Sequence, residues 1–111
     1  MAEPGHRSYE AWIDLMPGAN ETLRVKGEVT VPTTGYKAKL VEAEPQGINP
    51  AILLLRLELT KPPGRAGDVV TTLDVRYSKL HAKQDKEVQI EEEGHPSITV
   101  PVKEVRVKEV H

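Results

Sequence analysis

Residues Leu23 to Val31 alternate without a break. Leu23, Val25, Gly27, Val29 and Val31 fall on one parity, and Arg24, Lys26, Glu28 and Thr30 on the other. A two-residue period places these sets on opposite faces of an extended chain, one toward a core and one toward water. Gly27 sits on the inward face, where a missing side chain marks a bulge or a close neighbour. A strand half-buried in this way requires a sheet to lie in, and the rest of the chain supplies one.

Residues 1–8 read as a loose tail, and 9–111 as a single domain. Tyr9, Ala11, Ile13 and Leu15 alternate with Glu10, Trp12 and Asp14 before Met16-Pro17-Gly18-Ala19-Asn20 breaks the strand. After Val31-Pro32-Thr33-Thr34-Gly35-Tyr36, a short strand carries Tyr36, Ala38 and Leu40 on one face and Lys37 and Lys39 on the other. Ile52 to Leu59 is the most apolar segment. Its leucines and arginine also suit a helix, but Pro50 and Lys61-Pro62-Pro63-Gly64 leave it too short, so it reads as a central strand. Val69, Thr71, Leu73, Val75 and Tyr77 form the next inward face, followed by a polar loop over Ser78 to Lys86. Val88 and Ile90 make a short strand, cut by Glu91-Glu92-Glu93-Gly94-His95-Pro96, in which Glu91-Glu92-Glu93 reads as a solvated turn. Ile98, Val100 and Val102 then share one parity, and Val105 and Val107 the other. This switch implies a bulge, and Pro101 implies an edge position.

About seven strands with turn signals every 8–12 residues predict an all-β fold, an antiparallel immunoglobulin-like β-sandwich, with a closed barrel as the other architecture. The expected core is Val25, Val29, Leu40, Leu53, Leu55, Leu57, Leu73 and Val75. The chain has no Cys and no Phe, so aliphatic side chains must fill that core without disulfides. Fifteen basic and 17 acidic residues are interleaved for a net charge of −2, which gives no footprint for nucleic acid. The longest apolar run, Ala51 to Leu55, is too short for a membrane span, and no apolar leader follows Met1. The expectation is a soluble protein, cytoplasmic by default, or exported if a leader precedes this sequence. Oligomeric state is not legible.

No catalytic constellation is visible, and the chain reads as a non-enzyme without cofactor or metal. The four histidines, His6, His81, His95 and His111, have no ligand neighbour at metal spacing. His81 and Asp85 read as exposed loop residues, and Glu91-Glu92-Glu93 lacks the spacing of a calcium loop. Gly64-Arg65-Ala66-Gly67 reads as a hairpin turn, since it lacks the lysine of a phosphate loop.

One stretch carries a resemblance. Pro32-Thr33-Thr34-Gly35-Tyr36 resembles the first inhibitory loop of the chagasin family, immunoglobulin-like inhibitors of papain-type cysteine peptidases. The family's leading Asn is Val31 here, and its Trp two residues past the aromatic is Ala38. Gly47 in Gln46-Gly47-Ile48-Asn49 stands where the family has its glycine-rich second loop. Arg76 and Tyr77, in Arg76-Tyr77-Ser78-Lys79, stand where it has Arg-Pro-Trp. The resemblance implies a protein-binding module whose three loops cluster at one end of a sandwich and enter a peptidase cleft. The same five residues are also ordinary turn chemistry, with Pro presetting φ and Gly supplying a positive one. The other reading is a structural or accessory domain that associates through a strand edge or its outer sheet face.

Overall fold

The computed structural model describes residues 5–15, 22–64, 69–80 and 85–106. They form seven strands and, among the described residues, no helix: β1 (Arg7–Leu15), β2 (Thr22–Val31), β3 (Lys37–Glu42), β4 (Ile52–Thr60), β5 (Thr71–Leu80), β6 (Glu87–Glu92) and β7 (His95–Arg106). His81, His111, the Met16–Asn20 turn and most of Gly64-Arg65-Ala66-Gly67 lie outside the described residues. None of the described helices is long and apolar enough to cross a membrane, because there are none.

The strands make one sheet in the order β3-β4-β6-β7-β1-β2-β5, and its two end strands, β3 and β5, lie against each other. The sheet is therefore nearly closed into a barrel. It is mixed, which corrects the antiparallel expectation: β4 pairs with β6 in parallel, and β1 with β7 in parallel. The parallel β4/β6 pair has its cause in β4. Ile52-Leu53-Leu54-Leu55 is apolar on both parities and takes an inner place between β3 and β6, as a buried strand must. The lysine-bearing β3 goes to the seam, where solvated charges guard an unpaired edge. With β4 rather than β3 beside β6, two strands running the same way become neighbours.

The core is aliphatic. Leu23, Val25, Val29, Val31, Leu40, Leu53, Leu55, Leu57, Val75, Val88 and Ile90 are buried together with Ala11 and Ile13, and Leu73 is half-buried against them. Gly27 has the close neighbour its position implied, since the ring of Tyr9 lies where a Gly27 side chain would be. Ser8 O would also sit 2.9 Å from that Cβ.

Several details differ from the sequence reading. β1 starts at Arg7, inside the expected tail, because the Arg7 side chain is held by four hydrogen bonds. β5 starts at Thr71 rather than Val69 and runs on through Ser78–Leu80, where pairing with β2 continues to Thr22. Thr30, on the polar parity of β2, is buried, and its hydroxyl shares a 3.1 Å hydrogen bond with that of Thr72. Pro101 is not on an outer strand. β7 pairs with β6 down to Glu87↔Pro101 and with β1 from Ala11↔Val102 onward, so it changes partners at this point. Each half of β7 has one neighbour, and the proline falls at the hand-over. The register shift in this region falls between Ile90↔Ile98 and Glu92↔His95, where two steps along β6 oppose three along β7, so the extra residue is in β7 near the hairpin tip.

Candidate functional site

Around the nearly closed barrel the local order is β2-β5-β3-β4. The connection from β2 to β3 must therefore pass the start of β5, and the connection from β4 to β5 must pass the start of β3. Both lie at the same end, since Val31 pairs with Thr71 and Lys37 with Thr60. The two connections cross, an arrangement sheets usually avoid. Gly35 and Pro62 mark the crossing, because a Cβ on Gly35 would come within 2.8 Å of Pro62 Cβ. Gly35 also has φ +89, the left-handed region that glycine alone enters without strain. So the glycine of Pro-Thr-Thr-Gly is required twice, for the turn and for the crossing.

On this frame Pro32 and Thr34 are exposed, Thr33 is half-buried, and Thr33 Oγ1 donates to Thr34 O at 3.5 Å. Tyr36 is half-buried against the core. The β2–β5 register ends at Val31↔Thr71, and the two residues that lead into Thr71 at this end, Val69 and Val70, are 59% and 48% exposed. Two adjacent exposed valines form an apolar ledge at the barrel end that also carries the constrained turn. Sequence reasoning put Val69 on the inward face of its strand. Its parity pointed inward, but pairing begins only at Thr71.

The other expected contact residues lie elsewhere. Arg76 pairs with Lys26 and Tyr77 with Val25, in the middle of β5. Lys79 pairs with Leu23, eight residues down β2 from Val31 and hence about 27 Å away. Tyr77 is half-buried, its hydroxyl hydrogen-bonds to Glu42 across the β3/β5 seam, and burial followed by that bond raises its pKa. Gln46 to Asn49 lie at the far end too, between Glu42 and Ile52. Gln46 acts there as a substitute strand: Nε2 donates to Ala43 O at 2.6 Å and Leu54 O at 2.8 Å, and Leu54 N donates to Oε1 at 2.9 Å. Gly47 has no positive φ, and a Cβ there would make only an ordinary 3.5 Å contact with Leu54. The structure thus brings Pro32–Tyr36 together with Pro62, at the barrel end that also carries Val69 and Val70, and not with Gly47, Arg76 or Tyr77.

A second cluster lies where β1 and β7 diverge. They pair only from Ala11 and Val102 onward, leaving Arg7–Glu10 and the first half of β7 unpaired toward each other. Arg7 spans this gap. Its Nε and Nη2 donate to the two carboxylate oxygens of Glu92 at 2.7 and 2.9 Å, and Nη1 donates to His6 O and Thr30 O, each at 2.9 Å. Both side chains are nearly covered, at 7% and 10% exposure, which corrects the reading of Glu91-Glu92-Glu93 as a solvated turn. His95 Nε2 lies 3.5 Å from the same carboxylate. Arg7 and Glu92 line a cleft of about 180 Å³ together with Gly5, Tyr9, Ile90, His95, Pro96 and Ile98. Tyr9 Oη is buried and has no protein partner. Burial and the charge of Glu92 push this phenol up to about 12, against a smaller lowering by Arg7. Nothing in the sequence marked Arg7 or Glu92, while Gly27 was the one sign that a large side chain lay close.

On the other side of the β6–β7 hairpin, β6 stops pairing with β4 at Arg56↔Glu91. Leu57–Thr60 therefore pair with β3 alone and edge an open groove that also includes Lys39, Lys61, His95 and Ser97. Asp85, expected to be exposed, is buried and pairs with Lys79 Nζ at 3.3 Å. Among the described residues, no three of His, Asp and Glu gather closely enough to hold a metal ion. Compared with protein-family models, curated proteins and solved structures, the chain finds no match.

Proposed function

We propose that this chain is a non-enzymatic binding module that meets a protein partner at the barrel end built by Pro32–Tyr36. The observation that carries this reading is the pairing of a rigid turn with an apolar ledge. Gly35 and Pro62 fix the turn, and Val69 and Val70 stand exposed at the same end of the barrel. A surface already in its bound shape loses little entropy on association, and exposed apolar area adds to that advantage. A papain-type cysteine peptidase is the sharpest form of the partner, and it rests on Pro32, Thr33, Thr34, Gly35 and Tyr36 alone. Gly47, Arg76 and Tyr77 stand too far away to share the same cleft.

We read the architecture as a flattened relative of the immunoglobulin-like sandwich, with β1-β2-β5 facing β3-β4-β6 and β7 completing both. Its departure is β4, which stands beside β6 where that fold sets its third strand. The alternative role, an accessory domain joined through a strand edge, is favoured by the Leu57–Thr60 segment with its single neighbour.

The test is inhibition of papain-type peptidases by micromolar purified protein, repeated with Thr34→Ala and with Val69→Asp combined with Val70→Asp. Inhibition that both changes weaken supports the loop end. Absence of inhibition removes the peptidase as partner. Inhibition untouched by either change moves the contact away from this end.

A further inference from the structure

The ladder between β3 and β4 tells which backbone groups of β4 point away from it. Its register runs on to Ala43 opposite Leu54, where Ala43 N donates to Leu54 O at 3.0 Å. Leu54 N–H points the same way, to Gln46 Oε1 at 2.9 Å. Along an antiparallel ladder, residues that bond to the opposite strand alternate with residues that do not. Arg56, Glu58 and Thr60 therefore turn their N–H and C=O toward β3, as Leu54 does, while Leu55, Leu57 and Leu59 turn theirs toward β6. β6 stops pairing at Arg56↔Glu91, a parallel rung that takes up Leu57 N–H. The C=O of Leu57 and both backbone groups of Leu59 are left facing the groove.

A row of backbone donors and acceptors is completed by another extended backbone. Leu57–Thr60 carry no lysine or proline to blunt the edge, and their register is unbroken. The open span of four residues is about 13 Å long, which suits a short segment and not a subunit interface. A second copy of this chain is also a poor fit. Paired about Leu59 it sets Lys61 against Leu57 on the inner face, and paired about Glu58 it opposes two carboxylates. Lys39 Nζ lies 3.4 Å from Glu58, which leaves Arg56 and Lys61 on one wall and Glu91 and Glu93 on the other without ion-pair partners among the described residues. These charges balance, so the groove suits a segment of no net charge. We propose that β4 takes a short uncharged segment of a partner protein as an added strand, hydrogen-bonded to Leu57 O and to both backbone groups of Leu59. The inference rests on the strand-edge reading above and does not involve Pro32–Tyr36.

The experiment is amide hydrogen exchange of the ¹⁵N-labelled full chain, alone and with the blocked peptide acetyl-Ser-Thr-Val-Thr-Ser-amide. The N-methylated analogue of that peptide keeps its side chains and loses every backbone donor. In the free chain Leu59 is expected to exchange faster than Glu58, whose N–H is bonded to β3. Peptide at about four times its dissociation constant, read from amide shifts, should slow Leu59 about fivefold, and the analogue should not. Equal effects of the two peptides at residues 57–60 overturn strand addition while keeping the edge as a contact. Absence of binding up to about 10 mM also overturns the proposal. Leu59 as slow as Glu58 in the free chain, or shifts confined to other residues, removes the strand-edge reading along with it. Slowing of Leu59 that grows with protein concentration alone makes a second copy the occupant, against the proposal.

Discussion

Arg7 holds Glu92 through two hydrogen bonds, of 2.7 and 2.9 Å, between strands that make no backbone contact with each other. β7 lies between their strands in the sheet order, yet at this end β1 and β7 have parted, so the side chains take over from the backbone. The tip of the β6–β7 hairpin is thereby free of β4 on one side and of β1 on the other, and the ion pair is its tie to the barrel.

Removing one partner leaves the other charge nearly covered and unpaired. Arg7→Ala is expected to cost about 3 kcal/mol, the low end for breaking a buried pair, as measured by urea denaturation. Arg7→Ala with Glu92→Ala should cost less than the sum of the two single changes. Additive losses would show that the two residues act separately.

Leu55 is fully buried on the inner strand β4. Leu55→Ala should cost about 2–5 kcal/mol, from the lost transfer energy and the cavity left behind. A loss below about half a kcal/mol in the same denaturation experiment would take it out of the core.

Gly35→Ala meets two obstacles, a φ of +89 and Pro62 Cβ at 2.8 Å. Gly64→Ala meets only the first, because nothing lies within 4 Å of the added Cβ at φ +77. Gly35→Ala is therefore expected to lose about 1–3 kcal/mol and Gly64→Ala about 1 kcal/mol. Equal thermal midpoints for the two variants would mean that the crossing imposes no constraint.

Tyr9 and Tyr77 should ionise late. Burial comes first in both cases, joined by the charge of Glu92 at Tyr9 and by the hydrogen bond to Glu42 at Tyr77. An unfolded tyrosine loses its proton near pH 10, while Tyr9 in the fold keeps it to about 12. The folded state binds more protons in that interval, so this contribution to stability is whole below about pH 10 and lost as pH climbs through 12. Alkaline titration followed by phenolate absorbance should show a late component that shrinks in Tyr9→Phe and again in Tyr77→Phe. A late component unchanged in either variant contradicts the assignment.

Local pattern was enough to place the strands. The alternation of Leu23–Val31 and of Leu53–Leu59 gave the inward faces, and Gly27 announced the ring of Tyr9. Neighbour order was not legible, since alternation reports which face is buried and not which strand lies alongside. Hence the parallel pairs and the crossing of the two connections were invisible, and Gly35 read as a turn residue only. Arg7 and Glu92 stand 85 positions apart, and no local signal links residues so distant. Gly47, Arg76 and Tyr77 were grouped with Pro32–Tyr36 by likeness of order along the chain, which does not fix the end of the barrel a residue occupies.

The hand-over at Pro101 and Val102 also sets the order of events in synthesis. A nascent chain that has emerged only through β6 can pair β1 with β2 and β2 with β5, and separately β3 with β4 and β4 with β6. The two halves then share no backbone ladder, and their link across the β3/β5 seam includes the hydrogen bond from Tyr77 to Glu42. The edges of β1 and β6 that await β7 are open meanwhile, and open edges pair with whatever strand arrives, including one from another ribosome's product. For this protein the vulnerable interval on the ribosome closes only when β7 has left the exit tunnel. Slow decoding of residues 95–106 would lengthen it, and a chaperone that caps strand edges would shorten it.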